Sequence, residues 1–205
     1  MDPQIKKLLE QKLEMLAHDQ DGEVMTKVTT AWKNARPGHI NGVWVGEMTR
    51  DVQAACHTAI VERGRRVAAM LAETLRTLKV PYEEGLSAEL GALLDPIFPE
   101  DLYLAPMTNT PGVIERSGAL HNFSEYRFDL YLSTARVGCI NLARDARTKG
   151  QFVIDEYLLS VKPGAAVTAT KGWPSRVWEA TNLRPGAFGV GVDLKRLFSR
   201  KPPTP

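Results

Sequence analysis

The sequence predicts an α+β protein, with a helix-rich N-terminal unit holding one long helix and a smaller C-terminal unit that mixes helix and strand. A mostly α fold is the alternative. Three observations carry this expectation. Apolar residues recur in steps of three and four over residues 45–78, the spacing of one helical face. Five prolines fall between Pro81 and Pro111 and mark a connection. Short strand-like runs at 152–154, 166–170 and 187–194 are separated by Pro163-Gly164, Trp173-Pro174 and Pro185-Gly186. Helices followed by strands in this way suggest an α+β unit. The organisation expected is a helical unit over 1–80, a Pro-rich connection over 81–111, an α+β unit over 112–199, and a tail or the start of a linker over 200–205.

Taken in order, Asp2 is placed to cap a first helix with Pro3 at its first position, where a missing N–H is harmless. Ile5, Leu8, Leu9, Leu13 and Leu16 then recur at helical spacing, and residues 19–22 are expected to end the segment. A second helix follows over 23–35, with Val24, Val28, Ala31 and Trp32 on one face. Pro37-Gly38 and Asn41-Gly42 break the chain. The long stripe runs from Val45 through Met48, Val52, Cys56, Ile60, Val67 and Leu71 to Leu78, and Lys79-Val80-Pro81 stops it. An unbroken helix of that length would reach about 51 Å, against about 43 Å across a compact chain of this size. A break or kink is therefore expected at Gly64. Arg63 lies inside the stripe, where a guanidinium must snorkel or be paired.

Within the Pro-rich connection, residues 87–94 suit a short helix and 101–105 a short strand. Residues 124–150 read either as a helix or as two strands. The helix has Ser124 as its cap, Gly150 past its end, and Phe128, Leu132, Ala135, Cys139, Leu142, Ala143 and Ala146 on one face. The helical pattern holds over the longer window and is preferred.

Composition is that of a soluble globular chain, with 43% apolar and 24% charged residues, which excludes wholesale disorder and a fibrous protein. No stretch approaches the 20 or so apolar residues that cross a bilayer, and the charged N-terminus lacks the apolar core of a secretory signal. No membrane association is expected. Only Cys56 and Cys139 are present, too sparse for a disulfide framework, so reduced thiols and a cytoplasmic setting are expected. The charge is divided: residues 1–135 carry 14 Lys/Arg against 19 Asp/Glu, a balance of −5, and residues 136–205 carry 12 against 5, a balance of +7. Such asymmetry marks either an acidic partner for the basic part or two halves that attract each other.

No motif forces a reaction. His18, His39, His57 and His121 fall in no metal-binding pattern, neither cysteine lies in a CxxC, and no metal or cofactor is expected. Cys56 and His57 are adjacent, and on a helix neighbours point about 100° apart, a poor geometry for nucleophile and base. Three functions remain. The leading one is a non-catalytic, self-associating interaction or regulatory protein, forming a homo-oligomer or meeting a protein partner through the stripe over 45–78. The second is a binder of nucleic acid or a phosphorylated ligand, using Arg144, Arg147, Lys149, Lys195 and Arg196. Arg144 and Arg147 would share a helical face and bridge phosphates. The third is a small hydrolase-like enzyme in which His121 and Glu125 supply acid–base chemistry.

Overall fold

Asp2 opens the first helix: its carboxylate accepts the Gln4 N–H at 2.7 Å, the N-cap bond that Asp-Pro predicts. The computed structural model describes residues 1–33, 42–116 and 128–163. Five helices lie there: α1 (Pro3–Lys33), α2 (Gly42–Leu78), α3 (Leu86–Ala92), α4 (Leu104–Arg116) and α5 (Phe128–Val161). Of the described residues 84% are helical and none is in a strand. This corrects the α+β expectation in favour of its alternative, a mostly α fold. Residues 152–154 belong to α5, and 101–105 form a turn and the start of α4. The strand-like runs at 166–170 and 187–194 lie outside the described residues.

The errors share a physical cause, which is punctuation overridden by packing. Helix α1 does not stop at 19–22, because its buried positions Leu9, Leu13, Gln20, Val24 and Val28 continue in register through that segment. Gly22 sits exposed with open space about it, so it costs the helix only the intrinsic glycine penalty of about 1 kcal/mol. Helix α2 likewise runs unbroken through Gly64, which is buried between Ile60, Arg63 and Val67. Its 37 residues exceed the diameter of a sphere, but the long helices α1 and α5 lie beside it and cover its length.

Gly150 does not terminate α5. It packs against Leu94, whose Cδ1 stands 2.9 Å from where a Cβ would be, and the buried stripe continues through Val153, Ile154, Tyr157 and Leu158. The β-branched Val153 and Ile154 are therefore helical core, while Phe152 lies on the exposed side of the same helix. The preferred helical reading of 124–149 agrees with α5 from residue 128 onward; Ser124 lies outside the described residues.

Helix α2 ends where Lys79-Val80-Pro81 stops it. Lys79 takes a left-handed conformation (φ 49°). Its N–H donates to the Arg76 carbonyl at 3.2 Å and the Val80 N–H to the Leu75 carbonyl at 3.3 Å. This is a Schellman closure, with Val80 and Leu75 both buried as its apolar contact.

Helix α2 is the axis of the bundle, packed most extensively on α5 and α1 and also on α4. Lys12 reaches Thr74 at 3.1 Å while Gln20 meets Arg63 at 3.2 Å, so α1 runs antiparallel to α2. His57 lies against Gly138, and the Tyr157 hydroxyl donates to the Val80 carbonyl at 2.8 Å, so α5 runs parallel to α2. Trp32 on α1 donates to Thr110 on α4 at 3.2 Å. The stripe of α2 is thereby buried within the chain: Val45, Met48, Val52, Cys56, Ile60, Val67, Leu71 and Leu75 are all in the core.

Candidate functional site

The basic residues singled out on α5 do not share one side of it, since Arg147 and Lys149 lie about 160° apart around the helix, and each meets a carboxylate. Arg147 donates to Asp95, after α3, at 2.5 Å. Arg144 stands 3.9 Å from Glu100, both side chains well exposed. Lys149 is only 7% exposed, and its ammonium donates to Asp145 one turn back at 2.8 Å. The charge excess of the C-terminal part is thus locally balanced at these three positions. Lys195, Arg196, His121 and Glu125 lie outside the described residues.

A shallow groove of about 610 Å³ separates α3 from α5, lined by Ser87, Gly91, Asp95, Arg147 and Gln151 among others. Gln151 organises it. Its amide nitrogen donates to the Ser87 hydroxyl at 2.8 Å, the Ser87 carbonyl at 3.3 Å and Asp155 at 3.0 Å, while the Ser87 hydroxyl also donates to Asp155. The Gln151 side chain can lie this close only because residue 91 is glycine: its Oε1 occupies the place of a Cβ, 2.0 Å away. The cluster spans 68 residues of sequence and leaves no local signature. It holds α3 to α5 by satisfied hydrogen bonds and places no base on the Ser87 hydroxyl beyond a carboxylate shared with an amide.

Between α2 and α5, Cys56 and Cys139 are fully buried. Burial pushes both thiols up to about 12, with Cys56 adding to the shift of Cys139, so neither is a thiolate nucleophile at neutral pH. Beside them the His57 ring lies over Gly138, whose Cβ would stand 2.5 Å from the imidazole. Burial holds His57 below its ordinary range, partly opposed by a hydrogen bond to the Ala135 backbone. The unfolded chain then takes up this proton near pH 6.5, before the folded one does. Stability contributed by neutral His57 is present above about pH 6.5 and is lost as the pH falls toward the lowered folded value. Denaturation midpoints measured from about pH 7.5 to about pH 5 should fall with acidification, and His57→Gln should flatten that fall. An unchanged slope in the variant would remove His57 as a source of it.

The surface that sequence reasoning missed is the outer side of α5. Leu130, Val137, Phe152 and Leu159 are 62%, 58%, 42% and 61% exposed. At 100° per residue they fall, with Thr134, Asn141 and Thr148, within about 60° of one another along the whole helix. All seven side chains are uncharged, and all are exposed. The signal was present in the sequence as the seven-residue steps from 130 to 137 and from 152 to 159. It was masked by the stronger apolar stripe on the opposite side of the same helix, which forms the core.

Among the described residues, fold and surface define a helical bundle built on a central helix, with one long, partly apolar exposed face on α5; no helix among them is long and apolar enough to cross a membrane. No family model matches the chain, and no curated protein or solved structure matches it.

Proposed function

We propose that the protein is a non-catalytic, self-associating interaction protein whose working surface is the outer face of α5. The observation that carries this reading is the row Leu130, Val137, Phe152 and Leu159, four large apolar side chains left exposed in whole or part along one helix. Large apolar side chains repeated along one exposed helical face suit a surface that another molecule covers. The pairing of Arg63 with Asp21, Arg147 with Asp95 and Lys149 with Asp145 supports a structural rather than chemical use of these charges. The expectation of a cytoplasmic setting rests on cysteine usage, two thiols in unrelated sequence contexts.

Sedimentation equilibrium from about 1 to about 200 micromolar tests the proposal, a range that covers weak association. The mass should rise above 22.7 kDa toward a multiple of it. Phe152→Asp should hold the chain at the monomer mass with unchanged helicity, since that side chain is already partly in water. A wild-type chain that stays monomeric throughout would sink the reading.

A further inference from the structure

The outer face of α5 has a symmetry that selects its occupant. Leu130 and Leu159 lie equally far from the midpoint between residues 144 and 145, as do Val137 and Phe152, and Asn141 and Thr148. The face is thus a palindrome of side-chain type: apolar at both ends, apolar again at 137 and 152, and polar beside the centre. At the centre stand Arg144 and Asp145, a cation followed by an anion. A closed two-fold interface requires a patch of this kind, in which residue i meets residue j and j meets i.

We infer that the occupant of this face is a second copy of the chain, with the two α5 helices antiparallel about a two-fold axis at the level of Arg144 and Asp145. The inference rests on the reading of α5 as the association surface and adds partner and register to it. In this arrangement Val137 packs against Phe152 of the second copy, Leu130 lies level with its Leu159, and Arg144 lies level with its Asp145. Glu100, 3.9 Å from Arg144, adds a second carboxylate to the centre. A parallel pairing would instead set identical residues level with one another, Arg144 beside Arg144, where like charges repel. Both orders set apolar against apolar, so the central charges decide between them, and only the antiparallel order sets Arg144 level with Asp145.

The size of the contact sets its strength. A strip about 51 Å long and about 10 Å wide on each copy buries about 1,000 Å² in total, the lower edge of specific interfaces. The dimer should therefore dissociate on dilution.

Cysteine pairing in the full chain tests the register. Two double variants, Val137→Cys with Phe152→Cys and Leu130→Cys with Leu159→Cys, are oxidised with diamide at a concentration where sedimentation shows dimer. Both should give covalent dimers on a non-reducing gel. Neither can close within one chain, since residues 137 and 152 are about 22 Å apart along the helix. Val137→Cys alone should remain uncrosslinked, because its counterpart in the second copy is about 22 Å away. The native thiols are buried, and the unsubstituted chain serves as the control. Arg144→Glu should weaken the dimer about tenfold by placing carboxylates level with one another. Crosslinking of the single variant, or a sedimenting dimer that neither double variant traps, overturns the antiparallel register while leaving self-association standing. A chain that never dimerises overturns both.

Discussion

Replacing Arg63 with alanine is expected to destabilise the protein by about 3–5 kcal/mol, the cost of breaking a buried charge network from one side. Arg63 is 2% exposed, yet its guanidinium is fully used. Its Nε donates to Gln20 at 3.2 Å, and one terminal nitrogen donates to the Ile97 carbonyl at 3.3 Å. The other donates to the Ala17 carbonyl at 3.0 Å, to the Tyr103 hydroxyl at 2.5 Å and to the Asp21 carboxylate. One side chain on α2 thus ties together α1 and the middle and end of the segment between α3 and α4. Tyr103 is held there in a left-handed conformation (φ 60°), with its ring 5.0 Å from the guanidinium carbon. Removing the guanidinium strands Gln20, itself buried, together with two carbonyls, and leaves a cavity among them. Thermal or urea unfolding measures the loss. A fall in melting temperature of about 10 °C is expected for a chain of this size. Arg63→Lys should recover only part of it, since an ammonium cannot reproduce the planar fork that reaches both α1 and that segment. A loss under about 1 kcal/mol in the alanine variant would show that the network merely satisfies itself, as surface ion pairs do.

The sequence exposed this residue but not its meaning. Arg63 stands out as a charge in an apolar stripe, and pairing was one of the outcomes that its position required. Its partners lie more than 30 residues away, on α1 and on the segment between α3 and α4, so no periodicity points to them. The same division holds across the fold. Helical periodicity located the core faces of α1, α2 and α5, because burial selects side chains on a period the backbone dictates. The ends and interruptions were misread at Gly22, Gly64 and Gly150, and Gly150 shows the two uses that a glycine has. It ends a helix when the chain turns left-handed after it, and it continues one when a neighbouring element must come close. Only the neighbour distinguishes these, and for Gly150 the neighbour is Leu94, 56 positions earlier. The candidate surface was legible in part. Arg144 stood out as a ligand for phosphate, whereas its place at the centre of a palindromic face depends on knowing which side of α5 faces water.

Gly138 shows the other use of glycine most directly, and Gly138→Val should cost about 2–3 kcal/mol through overpacking. Along the inner side of α5, Ala135, Cys139, Ala143 and Ala146 are buried small residues that let α2 approach closely. Gly138 flanks this seam, and its Cβ would lie 2.5 Å from His57 Cε1 and 2.7 Å from Nε2. The imidazole is a rigid ring hydrogen-bonded at the Ala135 backbone, so it cannot bend aside as the end of the Gln151 chain can over Gly91. Either the ring swings out and loses its bond, or α2 and α5 move apart and loosen the packing around Cys56 and Cys139. A valine in a helix is intrinsically better than glycine by some tenths of a kcal/mol, which offsets only part of this cost. His57→Ala supplies the control, because truncating the ring makes the room that valine needs. The two substitutions together should then cost clearly less than the sum of each alone, a coupling of about 1 kcal/mol or more in a double-mutant cycle. Additive costs would mean that Gly138 is required by backbone conformation rather than by the ring above it. Its ordinary place in the middle of a 34-residue helix argues for the ring.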